Sequence, residues 1–206
     1  MREGILFIVS GPSGSGKTTL TRRVVKMVDN LRFSVSCTTR RPRPGETDGV
    51  DYRFISKEQF ENMVRNGEFV EWATVHGNLY GTPIEELERA KFSGVDLILD
   101  IDVQGASSIK GKYSSGVYVF ITPSSVAALK DRLVERKEGV AEITKRLENA
   151  RKEMEEICLY DYIIINDSID DALGNLASVI RAERCKRERV LESLKTGFGI
   201  QDSGCE

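Results

Sequence analysis

A run of glycine and hydroxyl residues near the amino terminus has a spacing suited to binding phosphate. Residues 11–18 read GPSGSGKT and fit the pattern G-x-x-x-x-G-K-[ST], between a predicted strand and a predicted helix. Glycines let backbone N–H groups approach a phosphate closely, and the positive end of the helix dipole faces the anion. Lys17 can bridge the β- and γ-phosphates, and the Thr18 hydroxyl can ligate magnesium. The loop therefore predicts a nucleoside triphosphate site but does not identify a second substrate.

Two carboxylates at the end of an apolar run are the next candidates. Asp100 and Asp102 close the segment VDLILDID, which places them at the carboxyl edge of a predicted sheet, where ligands bind in such folds. A magnesium-associated role through water is one interpretation, and contact with an acceptor nucleotide is another. Solvated acids at a strand end are a third interpretation, and the two residues by themselves leave all three open.

Four arginines lie within residues 40–53, in a chain whose overall formal charge is only −2. Such local positive charge favours an anion site over a solvated basic turn. Arg40 and Arg43, three residues apart, can donate charge-assisted and bidentate hydrogen bonds to a phosphate dianion.

The elements that must position these residues alternate between strand and helix. Apolar runs rich in β-forming residues occur at 5–10, 95–102, 117–122 and 160–166. Segments with helical periodicity occur at 17–28, 103–112, 124–137 and 140–159. Strands this hydrophobic indicate burial on both faces, as in a parallel sheet. The sequence therefore predicts an α/β fold, a doubly wound parallel sheet flanked by helices.

Residues 36–88 depart from this alternation, because they combine a turn-rich stretch, RRPRPGETDG, with short strand candidates at 51–55 and 68–75. We interpret them as an inserted substrate subdomain. The core domain is then formed by residues 1–35 and 89–195.

Three further segments complete the predicted organisation. The charged segment 135–145 lies between two predicted helices and is expected to be a mobile lid within the core. A last helix is expected to start near Ser168, with Asp171 three residues after the N-cap, and to continue to about Leu194. Residues 196–206 have little periodicity and are expected to form a flexible tail.

Composition argues against several classes of protein. Of the 206 residues, 40% are hydrophobic and 30% charged, which is typical of a soluble domain, and the small net charge argues against general nucleic-acid binding. The four scattered cysteines and the single histidine, His76, offer too few ligands for a zinc site and are typical of a reduced, cytoplasmic protein. The first apolar run is too short for a signal peptide or a membrane span.

Four segments, in order and spacing, resemble the guanylate kinase family: GPSGSGKT, FSVSCTTRRPRPGETDGVDYRF, GEFVEWATVHGNLYGT and LILDIDVQG. The resemblance covers roughly residues 4–185 and is far more specific than the phosphate loop alone. It implies a P-loop NTPase-type fold with an inserted GMP-binding subdomain and a lid. It also implies an ATP:GMP phosphotransferase of purine nucleotide metabolism, which uses magnesium as MgATP. Because no nucleophile–base pair accompanies the motifs, we expect direct in-line transfer.

The resemblance assigns roles residue by residue. The positions that match catalytic residues are Lys17, Arg43, Arg136 and Arg146. The positions that match ATP-binding residues are Gly11, Pro12, Ser13, Gly14, Ser15, Gly16, Lys17, Thr18, Thr19, Arg132, Arg136, Asn166 and Asp167. The positions that match GMP-binding residues are Ser36, Arg40, Arg43, Tyr52, Glu71, Tyr80, Thr82, Asp100 and Asp102. Thr18 is the expected magnesium ligand, with Asp100 acting through water.

The chemistry of guanine suits the assignment of Glu71. Guanine presents two donors, N1–H and the exocyclic amino group, to which a carboxylate can accept charge-assisted hydrogen bonds worth about 1.5–3 kcal/mol each. Adenine has an acceptor at N1 and would leave the carboxylate unpaired and desolvated. Ser36 and Thr82 are the expected hydroxyl partners.

The predicted lid departs from the family pattern. Nine residues, KEGVAEITK, separate Arg136 from Arg146, where the family often has ten with a threonine after the first arginine. The lid is therefore expected to be either trimmed or shaped differently, which affects the role of Arg136 more than that of Arg146.

Three alternatives compete with this interpretation. One is another nucleoside monophosphate kinase, acting on AMP, UMP or dTMP; the base-reading residues favour GMP, with dGMP as a further acceptor. A second is a non-catalytic, guanylate-kinase-like binding module, although such modules are usually depleted in phosphate-loop and lid residues that this chain retains. A third is a P-loop NTPase that acts on a macromolecule. Such an enzyme needs a residue that positions the water molecule for hydrolysis. The expected partners are small molecules, with neither nucleic acid nor membrane, and the sequence leaves open a monomer or a small homo-oligomer.

Overall fold

The computed structural model of the chain describes residues 3–75, 77–135 and 139–198. The strands are β1 (Leu6–Ser10), β2 (Leu31–Phe33), β3 (Cys37–Thr38), β4 (Arg53–Phe54), β5 (Phe69–Val75), β6 (Asn78–Pro83), β7 (Asp96–Asp100), β8 (Val117–Thr122) and β9 (Tyr162–Ile165). The helices are α1 (Lys17–Met27), α2 (Lys57–Arg65), α3 (Ile84–Ser93), α4 (Val103–Lys110), α5 (Val126–Glu135), α6 (Val140–Glu155), α7 (Ile169–Arg184) and α8 (Arg187–Phe198), with a 3₁₀ turn at Glu156–Leu159.

Five parallel strands form the central sheet, in the order β2-β7-β1-β8-β9. Every residue of β8 is buried, and so are the last four residues of β1. Consecutive buried side chains require cover on both faces of the sheet, which is the arrangement of a doubly wound fold. The predicted fold class is therefore confirmed.

Helices cover both faces of this sheet. On one face, α1 and α7 contribute Leu20 and Leu176 to a buried apolar cluster that includes residues of β1 and β8. On the other face, α3 and α4 contribute Leu87 and Ile109 to a second cluster. Complete burial of one such side chain stabilises the fold by about 1.5–3 kcal/mol. The two clusters therefore hold the carboxyl ends of β1 and β7 in fixed positions.

A second sheet, in the order β4-β3-β6-β5, is formed entirely within the predicted insertion. Helix α2 starts with a reciprocal capping box between Ser56 and Gln59, and its Phe60 ring stacks on Phe69 with 4.5 Å between the ring centroids. The strands expected at 51–55 and 68–75 are present as β4 and β5. Helix α2 was not predicted, although Phe60, Met63 and Val64 follow a helical spacing and pack into one apolar cluster, because the insertion was interpreted as turns and short strands.

One buried carboxylate connects the two sheets. The side chain of Glu86, on α3, is only 2% exposed. Arg32 of β2 donates to its Oε2 at 3.1 Å, and Arg53 of β4 donates to its Oε1 at 3.3 Å. Glu86 therefore ties the central sheet to the inserted sheet at their junction.

The final helical region differs from its prediction. Ser168 caps α7 by accepting a hydrogen bond from the Asp171 amide, as expected, but one continuous helix to Leu194 is wrong. The helix ends at Arg184, because the buried Glu183 carboxylate binds both Lys186 and Arg189 and the chain turns around it before α8. Helix α8 continues to Phe198, so the predicted tail begins within a helix.

The predicted lid overlaps two helices. Glu135 ends α5, and residues 140–145 form the first turns of α6, which follows Gly139. Residues 136–138, and with them Arg136, lie outside the described residues. Within the described parts of the chain, no helix combines the length and the apolar character needed to cross a bilayer.

Candidate active site

A cavity of about 1080 Å³ lies where the phosphate loop, the end of β7, the inserted sheet and α6 meet. Residues far apart in the sequence line it together, among them Lys17, Arg40, Tyr52, Glu71, Asp100 and Arg146. The fold therefore brings the predicted phosphate, acceptor and base-reading residues into one enclosure.

Two glycines of the loop are required by close approaches of the chain. Gly11 has φ +138°, and a Cβ there would lie 2.0 Å from the Ile121 carbonyl oxygen of β8. Gly16 has φ +92°, and a Cβ there would lie 2.4 Å from Nδ2 of Asn166. Only glycine combines this conformation with this clearance. Helix α1 starts directly after Gly16, so its free N–H groups face the loop.

Lys17 and Thr18, the first residues of α1, have their expected neighbours. The Lys17 ammonium donates to the Gly11 carbonyl at 2.6 Å and to the Pro12 carbonyl at 3.3 Å, so it lies across the loop where a phosphate would sit. The Thr18 hydroxyl donates to Oδ2 of Asp100 at 2.5 Å. Burial raises the pKa of Asp100, and the nearby charge of Lys17 opposes that shift. Asp100 thus belongs to the phosphate end of the cavity.

Arg40 is held at the centre of the predicted acceptor phosphate site. Its Nε donates to the Tyr80 hydroxyl at 3.1 Å, and its two terminal nitrogens contact both carboxylate oxygens of Glu46 at 3.0 and 2.9 Å. Its guanidinium carbon lies 5.5 Å from the centroid of the Tyr52 ring. The hydrogen bonds from Arg40 lower the pKa of Glu46. The Glu46 carboxylate therefore occupies the position on the Arg40 guanidinium that an anion would take.

The other residues predicted for the acceptor site lie around the same contacts. The rings of Tyr52 and Tyr80 meet edge to face with 5.9 Å between centroids. Burial raises the pKa of Tyr52 to about 12, so its hydroxyl remains a donor at neutral pH. Arg43 also lines the cavity, and its backbone N–H donates to Glu46 at 2.7 Å.

Glu71 lies on β5 next to a register irregularity between Phe69 and Glu71 in the β5–β6 pair. The buried Thr82 hydroxyl donates to its Oε1 at 2.7 Å, and the Ser36 hydroxyl lies 3.4 Å from that of Thr82. Burial raises the pKa of Glu71 to about 7, and the charge of Asp102 adds to the shift. The three residues predicted to read guanine are therefore connected through the Thr82 hydroxyl, which contacts both of the others.

Asp102 has a structural contact that the sequence left open. It is the N-cap of α4, and its Oδ1 accepts the Gly105 amide at 2.8 Å. It also lines the cavity, beside Asp100. Its carboxylate thus fixes the start of α4 against the base-reading end of the site.

The predicted adenine-side residues brace the phosphate loop. Arg132 donates to the Ser15 carbonyl at 3.3 Å and, through a short contact, to the Asn166 carbonyl. Asn166 donates to the same Ser15 carbonyl at 2.6 Å, and Asp167 accepts the Ser124 amide at 3.0 Å. These contacts hold the loop against β9 and the start of α5. Binding of ATP by these side chains stays a prediction.

Arg146 reaches the phosphate loop from α6. It donates to the Ser13 hydroxyl at 2.7 Å and to Glu142 at 3.1 Å, and it lines the cavity. This places one of the predicted lid arginines within reach of a bound triphosphate.

Sequence reasoning assigned no role to several charged residues that line the cavity: Arg22, Glu46, Asp51, Lys145, Lys152 and Glu153. Arg22 of α1 forms an ion pair with Asp51 at 2.6 Å, joining the core to the insertion across the site. Arg22 follows Thr18 by one turn of the predicted helix. That spacing indicates that both side chains lie on the same face of the helix, and it could have identified Arg22 from the sequence. Burial raises the pKa of Glu153 on α6 to about 6, and its Oε2 is buried with no hydrogen-bond partner among the described residues.

Comparisons with known proteins agree with this geometry. The family model described as guanylate kinase matches residues 3–183. The guanylate kinase of Geobacter metallireducens is 50% identical over 200 residues, covering 97% of this chain and 98% of that protein. The guanylate kinase of Thermotoga maritima is 48% identical over 188 residues, covering 91% of each chain. The crystal structure of guanylate kinase from Anaplasma phagocytophilum superposes with a TM-score of 0.79 at 34% identity, covering 98% of each chain.

Proposed function

The chain belongs to the guanylate kinase family, and we propose that its cavity carries out the family's reaction, transfer of the γ-phosphoryl group of ATP to GMP. One observation carries this assignment of the site. The loop that holds Lys17 and the carboxylate of Glu71 line the same cavity, so a triphosphate and a guanine base can be bound side by side. The products are ADP and GDP.

We assign the donor phosphates to the phosphate loop. The loop amides and the amino-terminal end of α1 supply positive potential, and Lys17 exchanges its two carbonyl contacts for the β- and γ-phosphate oxygens. Arg146, already at the loop through Ser13, neutralises charge on the transferring group. Arg136 has the same proposed task because its position in the sequence matches a catalytic arginine of the family.

The residues present fit a magnesium ion. The Thr18 hydroxyl and the Asp100 carboxylate are hard oxygen donors in direct contact beside the loop. Among the described residues, no group of three or more carboxylate, imidazole or thiol side chains gathers to hold a metal. That suits magnesium, which takes most of its ligands from phosphate and water. When held by Thr18 and Asp100, the ion would neutralise negative charge that develops on the phosphates during transfer.

We assign the acceptor phosphate to Arg40, Arg43, Tyr52 and Tyr80. The GMP dianion displaces Glu46 from the fork of Arg40, whose orientation is already fixed by Tyr80 and the Tyr52 ring. The GMP phosphate thus replaces the Glu46 carboxylate on Arg40. The Arg40 guanidinium is paired with an anion before and after the exchange, so binding does not carry the free-energy cost of an unpaired charge.

Glu71 selects the base. Its carboxylate accepts the N1–H and the amino group of guanine, with Thr82 and Ser36 completing the polar network. Adenine would present a lone pair to a buried carboxylate, which disfavours AMP strongly. All the assigned acceptor contacts go to the base or the phosphate, so we propose that dGMP is also accepted.

The transfer itself needs alignment and charge neutralisation. A GMP phosphate oxygen attacks the γ-phosphorus, the bond to the ADP oxygen breaks, and the cavity residues hold the reactants in line. We propose that no covalent enzyme intermediate forms. Isolation of a phosphorylated enzyme, or retention of configuration at a chiral γ-phosphorus, contradicts this step.

We propose that the reaction takes place in the cytoplasm. Cys37, Cys158 and Cys185 are free thiols, as is usual in a reducing compartment.

The test is an ADP-release assay with MgATP and a panel of GMP, dGMP, AMP, UMP and dTMP, with Lys17→Ala as the inactive control. Turnover that depends on GMP and is lost in Lys17→Ala supports the proposal. Turnover with AMP, UMP or dTMP instead assigns the chain to another monophosphate kinase activity and contradicts the role of Glu71. Absence of turnover with every acceptor supports a non-catalytic binding module.

A further inference from the structure

We infer that Gly105 is a positioning residue for base selection, because its missing side chain leaves the space in which the Glu71 carboxylate meets guanine. The inference rests on the proposed function, in which Glu71 reads the base. It assigns a specificity role to a residue that makes no contact with substrate through a side chain.

The first turn of α4 packs directly against the base-reading carboxylates. A Cβ placed on Gly105 would lie 2.9 Å from Oε2 of Glu71, a separation that real Cβ atoms essentially never show. The same carbon would lie 3.2 Å from Oδ1 of Asp102. One methyl group would therefore press on two carboxylates at the guanine end of the cavity.

The backbone does not require glycine at this position. Gly105 lies inside α4, and it is not among the described glycines with positive φ. Alanine is also the better helix former, so helix propensity alone disfavours glycine here. The clearance for Glu71 is the feature of the structure that explains a glycine at this point of the helix.

The added methyl group has one way to be accommodated. It would meet the ends of side chains rather than the backbone, so the fold can absorb it by moving a carboxylate. Oε1 of Glu71 is fixed by the buried Thr82 hydroxyl at 2.7 Å, so the rotation must displace Oε2. Oε2 is the oxygen that faces Gly105. When it is displaced, the two carboxylate oxygens of Glu71 no longer accept the N1–H and the amino group of guanine together.

The experiment compares Gly105→Ala with Gly174→Ala, a matched helical glycine at which an added Cβ would meet no heavy atom within 4 Å. We expect Gly105→Ala to raise the KM for GMP by about tenfold or more while the KM for ATP changes less than about twofold. We expect Gly174→Ala to leave both constants unchanged, and we expect Gly105→Ala to remain folded at the assay temperature, because the gain in helix propensity offsets part of the cost of moving the carboxylate.

A double-mutant cycle with Glu71→Ala tests whether Gly105 acts through Glu71. If it does, adding Gly105→Ala to Glu71→Ala costs less than about twofold in kcat/KM for GMP, because the side chain that the methyl group would displace is already absent. Full additivity overturns the inference, and so do an unchanged KM for GMP in Gly105→Ala or equal losses for GMP and ATP.

The inference and the proposed function fail in different ways. A parent chain without GMP-dependent turnover overturns the proposed function and the inference with it. An active parent chain whose Gly105→Ala variant keeps its KM for GMP overturns the inference alone.

Discussion

The Thr18 hydroxyl donates a hydrogen bond to the Asp100 carboxylate at 2.5 Å, across 82 residues of sequence. The first residue after the loop lysine and the last residue of β7 thus meet at the carboxyl edge of the central sheet. This contact gathers hard oxygen donors beside the proposed triphosphate site, which gives a reason for an acid at the end of an apolar strand.

We expect Asp100→Asn to weaken the use of magnesium. An amide keeps the size of the side chain but loses the charge that orders metal-bound water, so half-saturation by Mg²⁺ should rise about 10- to 100-fold. Titration of activity with Mg²⁺ at fixed ATP measures this. Asp170→Asn, at an exposed acid that pairs with Arg23 and does not line the cavity, is the control and should change little. Equal magnesium dependence in both variants contradicts the assignment.

We expect Arg40→Lys to impair GMP binding selectively. Lysine cannot reproduce the fork to Glu46, the bond to Tyr80 and the stacking on Tyr52 together, so the KM for GMP should rise about tenfold. Steady-state kinetics with each substrate varied in turn measures the effect. Arg41→Lys, its exposed neighbour, should stay within about twofold for GMP. A rise of similar size for ATP would assign Arg40 a general structural role instead.

We expect GMP affinity to depend on pH through Glu71. Its pKa is raised to about 7 in the free protein, mainly by burial, whereas bound guanine donates to the ionised form and lowers that pKa. Binding is therefore linked to loss of a proton, and affinity should be full above pH 7 and fall by up to about tenfold per unit below it.

Calorimetric titration of GMP across pH measures this dependence. The GMP phosphate also titrates, near about pH 6, so the profile of Glu71→Gln supplies the control. A parental profile that superposes on that of Glu71→Gln rules out the predicted titration.

We expect Glu86→Gln to destabilise the fold. Its buried carboxylate holds Arg32 and Arg53, and loss of the charge should cost about 2 kcal/mol, less than for a fully buried pair because both arginines are partly exposed. Urea denaturation measures the change. Glu85→Gln is the matched control, because this exposed neighbour also binds Arg53, and it should cost less than about 0.5 kcal/mol. Equal losses of unfolding free energy in the two variants would contradict the role of Glu86 as a bridge between the two sheets.

The sequence predicted those features that depend on local pattern. The phosphate loop, the buried strands β1, β7 and β8, and the Ser168 cap each carry their signal within a few residues, through glycine spacing, apolar runs or a capping residue. The inserted subdomain was identified by its departure from the strand–helix alternation. The contact of Glu71 with Thr82 and Ser36 came from family resemblance rather than from the residues themselves.

The features that were missed depend on packing between distant segments. The end of α7 is set by the buried carboxylate of Glu183, and helical periodicity continues across that point. The clearance between Gly105 and Glu71 joins a helix to a strand 34 positions earlier. The ion pair of Arg22 with Asp51 joins a helix to a turn in the insertion. Such partners become visible only when the chain is folded.

The central claim is that Glu71 selects guanine in a cavity it shares with the phosphate loop. The most direct test is the ratio of kcat/KM for GMP to that for AMP, measured in the parent chain and in Glu71→Gln. A glutamine amide can donate to N1 of adenine and accept from its amino group, so we expect the ratio to fall at least about 100-fold in the variant. An unchanged ratio, with activity on GMP retained, contradicts the account.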